Sequence, residues 1–534
     1  MTRRDCRTRR PLITASVWLL LLALAAPSAQ AEQVTLSMTG TDLVFSGELV
    51  GYDEDSYTVN LQNLGTLRLA RNRFACVRGA CPGSAPPKLA ALNSGPDFGI
   101  HGSNTIGAQL MPALIEGYAE AIGANAIKRV GANAEEVEFE LLGGDGQKLA
   151  KVDLQSHGSG TSFPSLARGD AQIGMSSRPI KEQEETFMEM AGYLGMRAPG
   201  KEHVVALDGL LAIVSPQNPL ASISIDDLAK VFAGEIADWS ALGLPPGPIN
   251  VYARDDKSGT YDTFNSLVLK PAKRKISPNA KRFESNADLS DEVAADPQGI
   301  GFTGIAYQRN AKVLAISSSC GIEQSPSVFS VKTEEYPLSR RLYLYSTRSL
   351  TAPHGKRLLA FALSDEAQDI VVDVGFIDQS IDRLAFAAQG DRIARALDRD
   401  AGDFDLGLLR QATSELGKAE RLSTTLRFTF GSADLDNKAQ QDIARLAGQL
   451  DRAAYRDRQF LLVGFADSVG PPEQNRALSL ARARQVQAAL QIAAGRQLPE
   501  SKVLPLGYGE LMPVACNDSS RGRALNRRVE VWVR

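Results

Sequence analysis

Four short turns in the 534-residue chain share one chemistry. They are Gly102-Ser103-Asn104-Thr105, Gly158-Ser159-Gly160-Thr161, Met175-Ser176-Ser177-Arg178, and Ser258-Gly259-Thr260 with Arg254 four residues earlier. Each sets small hydroxyl residues or glycine where a helix is about to start. A helix N-terminus offers unpaired backbone N–H groups and the positive end of the peptide dipole, which suits an oxyanion. Glycine lets the backbone approach closely, Ser and Thr add hydroxyl donors, and arginine adds a two-pronged charged fork. Helix capping alone explains any one such turn. Four together, two of them Ser-Gly-Thr and two backed by Arg178 or Arg254, point to an anion cradle.

A second constellation lies near the end of the chain. Asp467 follows the apolar run FLLVGFA, and Asn475, Ser479 and Arg482 recur at a spacing that puts them on one helix face. A carboxylate and a guanidinium so placed can clamp a zwitterion, although a solvated helix face explains the same stripe. Other chemistries find little support. His101, His157, His203 and His354 show no metal-ligand spacing, so no metal or cofactor is expected. Neither a GxSxG elbow nor a Walker A loop occurs. His157 beside Ser159 has no third partner for nucleophilic catalysis. Cys320 and Cys516 read as buried or free thiols rather than a catalytic pair, with a mutual disulfide as the alternative.

Elements must position these groups. From about residue 97, apolar runs such as VEFELLGG and HVVALDGLLAIVSP alternate with helical stretches, and the small-residue turns lie between them. This rhythm predicts an α/β unit with ligand loops at the carboxyl ends of its strands. It persists to about residue 385, too far for one compact lobe. Residues 32–81 read as a small β module, with Tyr57, Val59 and Leu61 alternating against polar residues and a local disulfide between Cys76 and Cys81. Residues 82–96 read as a Pro/Gly linker, 386–423 as a helical connector, and 424–534 as a final unit of mixed strands and helices.

Residues 1–31 carry a basic start, a short apolar run and Ala29-Gln30-Ala31, the pattern of a cleaved export signal. Its loss removes five Arg and one Asp and takes the net charge from −3 to −7. The acidic balance excludes nucleic acid as a partner. Five cysteines in this length exclude a disulfide-framework fold.

The middle unit resembles the phosphate-binding proteins of ABC importers. HGSNTIGAQLMPAL, HGSGTSFPSLARGDAQIGMSSRPI, LDGLLAIVSPQNPL, ARDDKSGTYDTF, GIGFTGIAY and YPLSRRLYLY follow that family's pattern in order across residues 97–385. The resemblance implies a two-lobed periplasmic binding fold with anion held between the lobes. On it, Ser103, Thr105, Ile106, Ser159, Gly160, Thr161, Ser177, Arg178, Arg254, Ser258, Gly259 and Thr260 take the anion-binding positions. The family's acceptor Asp in the third loop is Ser177 here, which weakens the basis for excluding sulfate and leaves Asp255 or Asp256 as substitutes. Residues 424–534 resemble the OmpA-like peptidoglycan-binding domain. That resemblance implies Asp467 and Arg482 as the clamp for diaminopimelate, with Asn475, Leu478 and Arg528 in support, and Ala466 where the family has Thr. The expected fold is thus α/β and two-lobed, preceded by a β module and followed by an α+β OmpA-like domain. The expected protein is a non-catalytic phosphate binder of the periplasm, held to the wall, with an ABC importer permease as a further partner. The rival readings are an envelope interaction protein that has lost its anion, and a phosphate-ester hydrolase.

Overall fold

The computed structural model describes residues 32–38, 44–52, 56–61, 65–71, 74–79, 81, 98–133, 135–256, 258–347, 349–390, 392, 405–428 and 435–534. The expected export signal and the 82–96 linker lie outside the described residues. No described helix is long and apolar enough to cross a membrane.

The N-terminal module is an antiparallel sheet in the order Gly65–Ala70, Ser56–Leu61, Val44–Tyr52, Glu32–Met38, Phe74–Gly79. Val34, Leu36, Tyr57, Val59, Leu69 and Phe74 form its small core. Cys76 and Cys81 are disulfide-bonded. So few apolar residues make a marginal core alone, and Phe187 and Met190 of the helix Glu182–Met190 complete it.

The middle unit is a mixed α/β structure in two lobes on one continuous sheet. One half contains the strands Ile173–Ser176, Phe98–Gly102, Lys148–Gln155, Glu136–Leu142 and Asn125–Val130; the other contains Gly299–Gly304, Asn250–Arg254 and Lys281–Phe283. The 13-residue strand Glu202–Val214 joins them. It pairs with Ser339–Ser346 through its first part and with Gly299–Gly304 through Leu210–Val214. It is covered on both faces, which is why its sequence is almost continuously apolar rather than alternating. Helices Leu110–Ala121, Pro353–Ala362 and Ala367–Asp373 cover the first lobe. A second core, including the stacked Phe264 and Phe302 with centroids 4.1 Å apart, fills the other and continues into the first through Phe163, Leu166 and Ala167 of the helix Ser159–Arg168.

The C-terminal sheet runs Arg383–Ala385, Glu420–Arg427, Arg528–Val533, Phe460–Gly464, Val503–Gly507. Helices Asn437–Gln449 and Pro472–Ala494 pack on one face and Leu406–Leu416 on the other. This corrects two expectations. The helical reading of 386–423 fails beyond Leu416, because Leu422 and Leu426 alternate into the sheet core and make 420–427 a strand. The tail of the middle unit, Arg383–Ala385, is already an edge strand of the C-terminal sheet. Cys320 and Cys516 are joined in a disulfide rather than free. The loop before helix Ser520–Asn526 lies against the 318–324 turn of the second lobe, where Gln324 Nε2 also donates to the Val514 carbonyl at 2.8 Å.

Candidate functional site

The first anion turn leaves the strand Phe98–Gly102 at Gly102, whose φ of 141° strains any other residue. A Cβ there would also overlap the Met175 carbonyl. The turn is locked by Ser103 N donating to Met175 O at 2.9 Å. Ser103 Oγ is fully buried and has no hydrogen-bond partner among the described residues, while Thr105 and Ile106 are buried behind it. Gly158, with φ of 110°, plays the same role ahead of the helix Ser159–Arg168. Ser159 Oγ accepts from Ser177 N at 3.0 Å and lies 3.2 Å from Ser177 Oγ, tying the second and third turns together.

The fourth turn comes from the opposite lobe. Ser258 caps the helix Gly259–Phe264 by accepting from Thr260 N and Tyr261 N, so its hydroxyl does the capping that alone would explain such a turn. Gly259 abuts the Ser177 and Ser159 hydroxyls, and Thr260 Oγ1 lies 3.3 Å from Thr105 Oγ1. Hydroxyls from both lobes therefore meet. Arg254 is 2% exposed; its Nε donates to Phe283 O at 3.1 Å and Nη2 to Glu284 O, but Nη1 has no hydrogen-bond partner among the described residues. Burial pushes its pKa down to about 10. A buried cation with an unpaired N–H is costly unless an anion meets it.

These groups border a cleft of about 620 Å³ whose walls include Gly160, Thr161, Arg178, Arg254 and Ser258. Arg178 plays a different part from Arg254. Glu184 grips it at 2.7 and 2.8 Å and Asp262 at 3.1 Å, so its charge is already neutralised. Burial would lower its pKa, but Glu184 and then Asp262 raise it instead. It is a strut between turns. Asp256 is paired with Arg282 and mostly exposed, whereas Asp255 lines the cleft. Sequence reasoning missed the Asp208–Arg340 pair. Asp208 is buried in the joining strand, accepts from Arg340 Nε at 2.8 Å and from Ile305 N at 3.1 Å, and Arg340 Nη2 reaches Thr260 Oγ1 at 3.2 Å. A charged residue inside an otherwise apolar strand was the available signal. Among the described residues, no group of three His, Cys, Asp or Glu could hold a metal.

In the C-terminal unit, Asp467 is 8% exposed; its Oδ1 accepts from Val469 N at 3.1 Å. Its Oδ2 is held by Arg527 at 2.6 Å. Arg482 faces the same place: its Nη1 is buried without a hydrogen-bond partner among the described residues and its guanidinium lies 5.7 Å from the Phe428 ring centre. Burial, then Arg527, lowers its pKa against the pull of Asp467. Asn475 Nδ2 spans Asp467 O at 3.2 Å and Glu510 Oε1 at 2.8 Å, and fixes the turn. Leu478 is 46% exposed on the same helix. Arg528 does not join this group. It is fully buried over Phe465 at 4.1 Å, with Glu530 Oε1 at 2.8 Å from Nε and Met512 O at 2.9 Å from Nη2. Strand alternation turns it inward, and its neighbour Arg527 takes the outward place beside Asp467.

A PBP superfamily domain matches residues 145–366 and an OmpA family domain matches residues 427–527. The phosphate-binding protein PstS of Bacillus subtilis is 32% identical over 231 residues, 43% of this chain and 71% of the relative. The phosphate-binding protein PstS of Pseudomonas aeruginosa is 27% identical over 294 residues, 51% of this chain and 88% of the relative. A crystal structure of an ABC-type phosphate transport receptor from Vibrio cholerae aligns over 52% of this chain and 99% of that one, with 23% identity and a TM-score of 0.40.

Proposed function

The chain belongs to the family of the phosphate-binding proteins PstS and carries an OmpA-family domain at its C-terminal end, and from that premise we propose that it is a wall-tethered phosphate binder. It would be exported by its N-terminal segment, hold inorganic phosphate or a related oxyanion between its lobes without chemistry, and grip peptidoglycan without a covalent bond. An importer permease is the expected recipient. The observation that carries the anion reading is Arg254: a buried guanidinium with a free Nη1, beside hydroxyls that converge from both lobes. Anion contacts from both sides would favour the closed form of the hinge.

Isothermal titration of the full chain with phosphate is the test. Micromolar or tighter binding is expected, and no heat with either phosphate or sulfate refutes the reading. For the wall, Asp467 and Arg482 offer one group of each sign to the zwitterionic end of diaminopimelate. Purified sacculi should sediment the chain and fail to sediment Asp467→Asn or Arg482→Met; full retention of both variants refutes that assignment.

A further inference from the structure

Every group assigned above to the cradle donates a hydrogen bond. Hydrogen phosphate carries a proton and sulfate does not, so only an acceptor can tell them apart. Ser177 cannot serve, because a hydroxyl can donate to sulfate as readily as it accepts from hydrogen phosphate. Of the carboxylates on the cleft wall, Glu184 and Asp262 are spent on Arg178 and Asp256 on Arg282, and Asp255 and Glu284 line it beside Arg254, away from the first two turns in sequence. Glu135 stands apart. Its Oε1 accepts from Asn104 Nδ2 at 2.7 Å, and its Oε2 lies 3.5 Å from His157 Nδ1. Asn104 immediately precedes Thr105, and His157 precedes Gly158-Ser159. The carboxylate is thus fixed between the first two anion turns, on the cleft wall, in the field of Arg254. Burial, followed by Glu284, raises its pKa despite His157 and Arg254, which makes it a stronger proton acceptor.

We propose that Glu135 selects a protonated oxyanion, accepting the hydrogen bond of the phosphate hydroxyl and repelling sulfate. This rests on the phosphate reading. Titration of the full chain, Glu135→Gln and Asp255→Asn with phosphate and with sulfate separates the two claims. The expected result is at least a tenfold narrowing of the phosphate-over-sulfate preference in Glu135→Gln, and an unchanged preference in Asp255→Asn. An unchanged preference in Glu135→Gln, or the loss appearing in Asp255→Asn instead, overturns the inference while the phosphate reading stands. A parent chain that binds neither anion sinks both.

A separate set of contacts carries a second inference. The C-terminal unit grips both lobes. On the second lobe it holds Cys320 by the Cys516 disulfide, Gln324 at 2.8 Å, and Glu335 through buried Arg421. On the first, Asn437 Nδ2 donates to Arg197 O at 2.6 Å and to Glu202 Oε1 at 3.1 Å, and Arg445 Nη1 to Gln379 Oε1 at 3.0 Å. Between them Asp436 pairs at 2.8 Å with Arg341, on the strand that pairs with the joining strand. Arg341 is the sequence neighbour of Arg340, whose side chain reaches Thr260 in the cradle.

We infer that the wall-binding unit is a brace across the hinge, which limits lobe opening and slows anion release. Stopped-flow release of phosphate from the full chain is the measure, and this too rests on phosphate binding. Release should quicken at least fivefold in Cys320→Ser/Cys516→Ser, and similarly in Asn437→Ala/Arg445→Ala, which keeps the disulfide and covers the case that the cysteine variant does not fold. Small-angle scattering of the anion-free chain should show a larger radius for both variants than for the parent, whether or not phosphate is the ligand. Release within twofold of the parent, with an unchanged radius, overturns the brace.

Discussion

Gly259→Ala asks whether the convergent hydroxyls are the anion's donors. A methyl group at Gly259 would overlap Ser177 Oγ and stand 2.7 Å from Ser159 Oγ. Each serine can escape by turning about χ1, so the fold survives; alanine in a first helical turn gains up to about 1 kcal/mol over glycine and offsets part of the crowding. The escape, however, swings both hydroxyls away from the place where the turns converge and breaks the Ser159–Ser177 link. A hydrogen bond to a charged group contributes about 1.5–3 kcal/mol. One of the two hydroxyls spends its proton on the other, so one donor to the anion is lost, about 1.5–3 kcal/mol or roughly tenfold to a hundredfold in affinity. Gly160 is the control. It occupies the matching place in the other Ser-Gly-Thr turn, and an added Cβ there meets nothing within 4 Å. Calorimetric titration with phosphate, beside thermal melts without it, reads both effects. Gly259→Ala should keep its melting temperature within a few degrees and bind phosphate at least tenfold more weakly, while Gly160→Ala keeps both. Binding within threefold of the parent in Gly259→Ala would show that the anion does not depend on these hydroxyls.

Arg178→Ala takes the guanidinium from Glu184 and leaves Asp262 with Lys181 alone, and should cost about 2–3 kcal/mol of stability in urea unfolding. Phosphate affinity of the folded protein should fall less than fivefold, whereas Arg254→Ala should abolish it with a smaller change in stability. Arg528→Met should lower the melting point and leave the sacculus affinity of the folded chain intact; Arg527→Met should do the reverse. Acid should loosen the brace. Glu334 of the second lobe pairs with Arg341 and, across to the C-terminal unit, with Arg427; burial raises its pKa, but Arg341, Lys438 and Arg427 outweigh it and hold the carboxyl well below its usual range. A depressed folded pKa contributes stability above the unfolded value, near 4.3, and loses it as pH falls further. Urea midpoints between pH 7 and pH 3 should therefore drop in the parent and drop less in Glu334→Gln, which starts weaker at pH 7.

Local chemistry was legible in the sequence and long-range placement was not. The strand–turn–helix rhythm and the four hydroxyl turns describe features of a few residues each, and the α/β class follows from them, while the two lobes followed from the family resemblance. What a motif could not tell was which arginine is spent. Arg178 and Arg254 look alike beside their turns, yet Glu184 lies six residues from Arg178 on the next helix and neutralises it. Among the described residues, Arg254 Nη1 has no hydrogen-bond partner. The Arg527-Arg528 pair posed the same problem, since strand parity decides which one faces Asp467, and a register error of one residue exchanges them. The boundary at 424 failed for a related reason: Ala/Leu content suggested helix through 423, while the sheet into which Leu422 turns is built largely from residues far later in the chain.

The acidic balance shows how little a net charge says about a site. The cradle combines an unpaired guanidinium nitrogen, backbone donors and hydroxyls with a cleft rim that includes Glu135, Asp255, Asp256 and Glu284. If attraction at long range were the basis of binding, that rim would be a fault and added salt would help by screening it. If short, buried donors are the basis, salt should scarcely change the equilibrium, because contacts inside a closed cleft lie beyond its reach. Phosphate affinity measured between low and high sodium chloride should then stay within about threefold, while the association rate rises as the rim is screened. An affinity that tracks salt as steeply as the rate would place the binding energy in the surface field and not in the cradle.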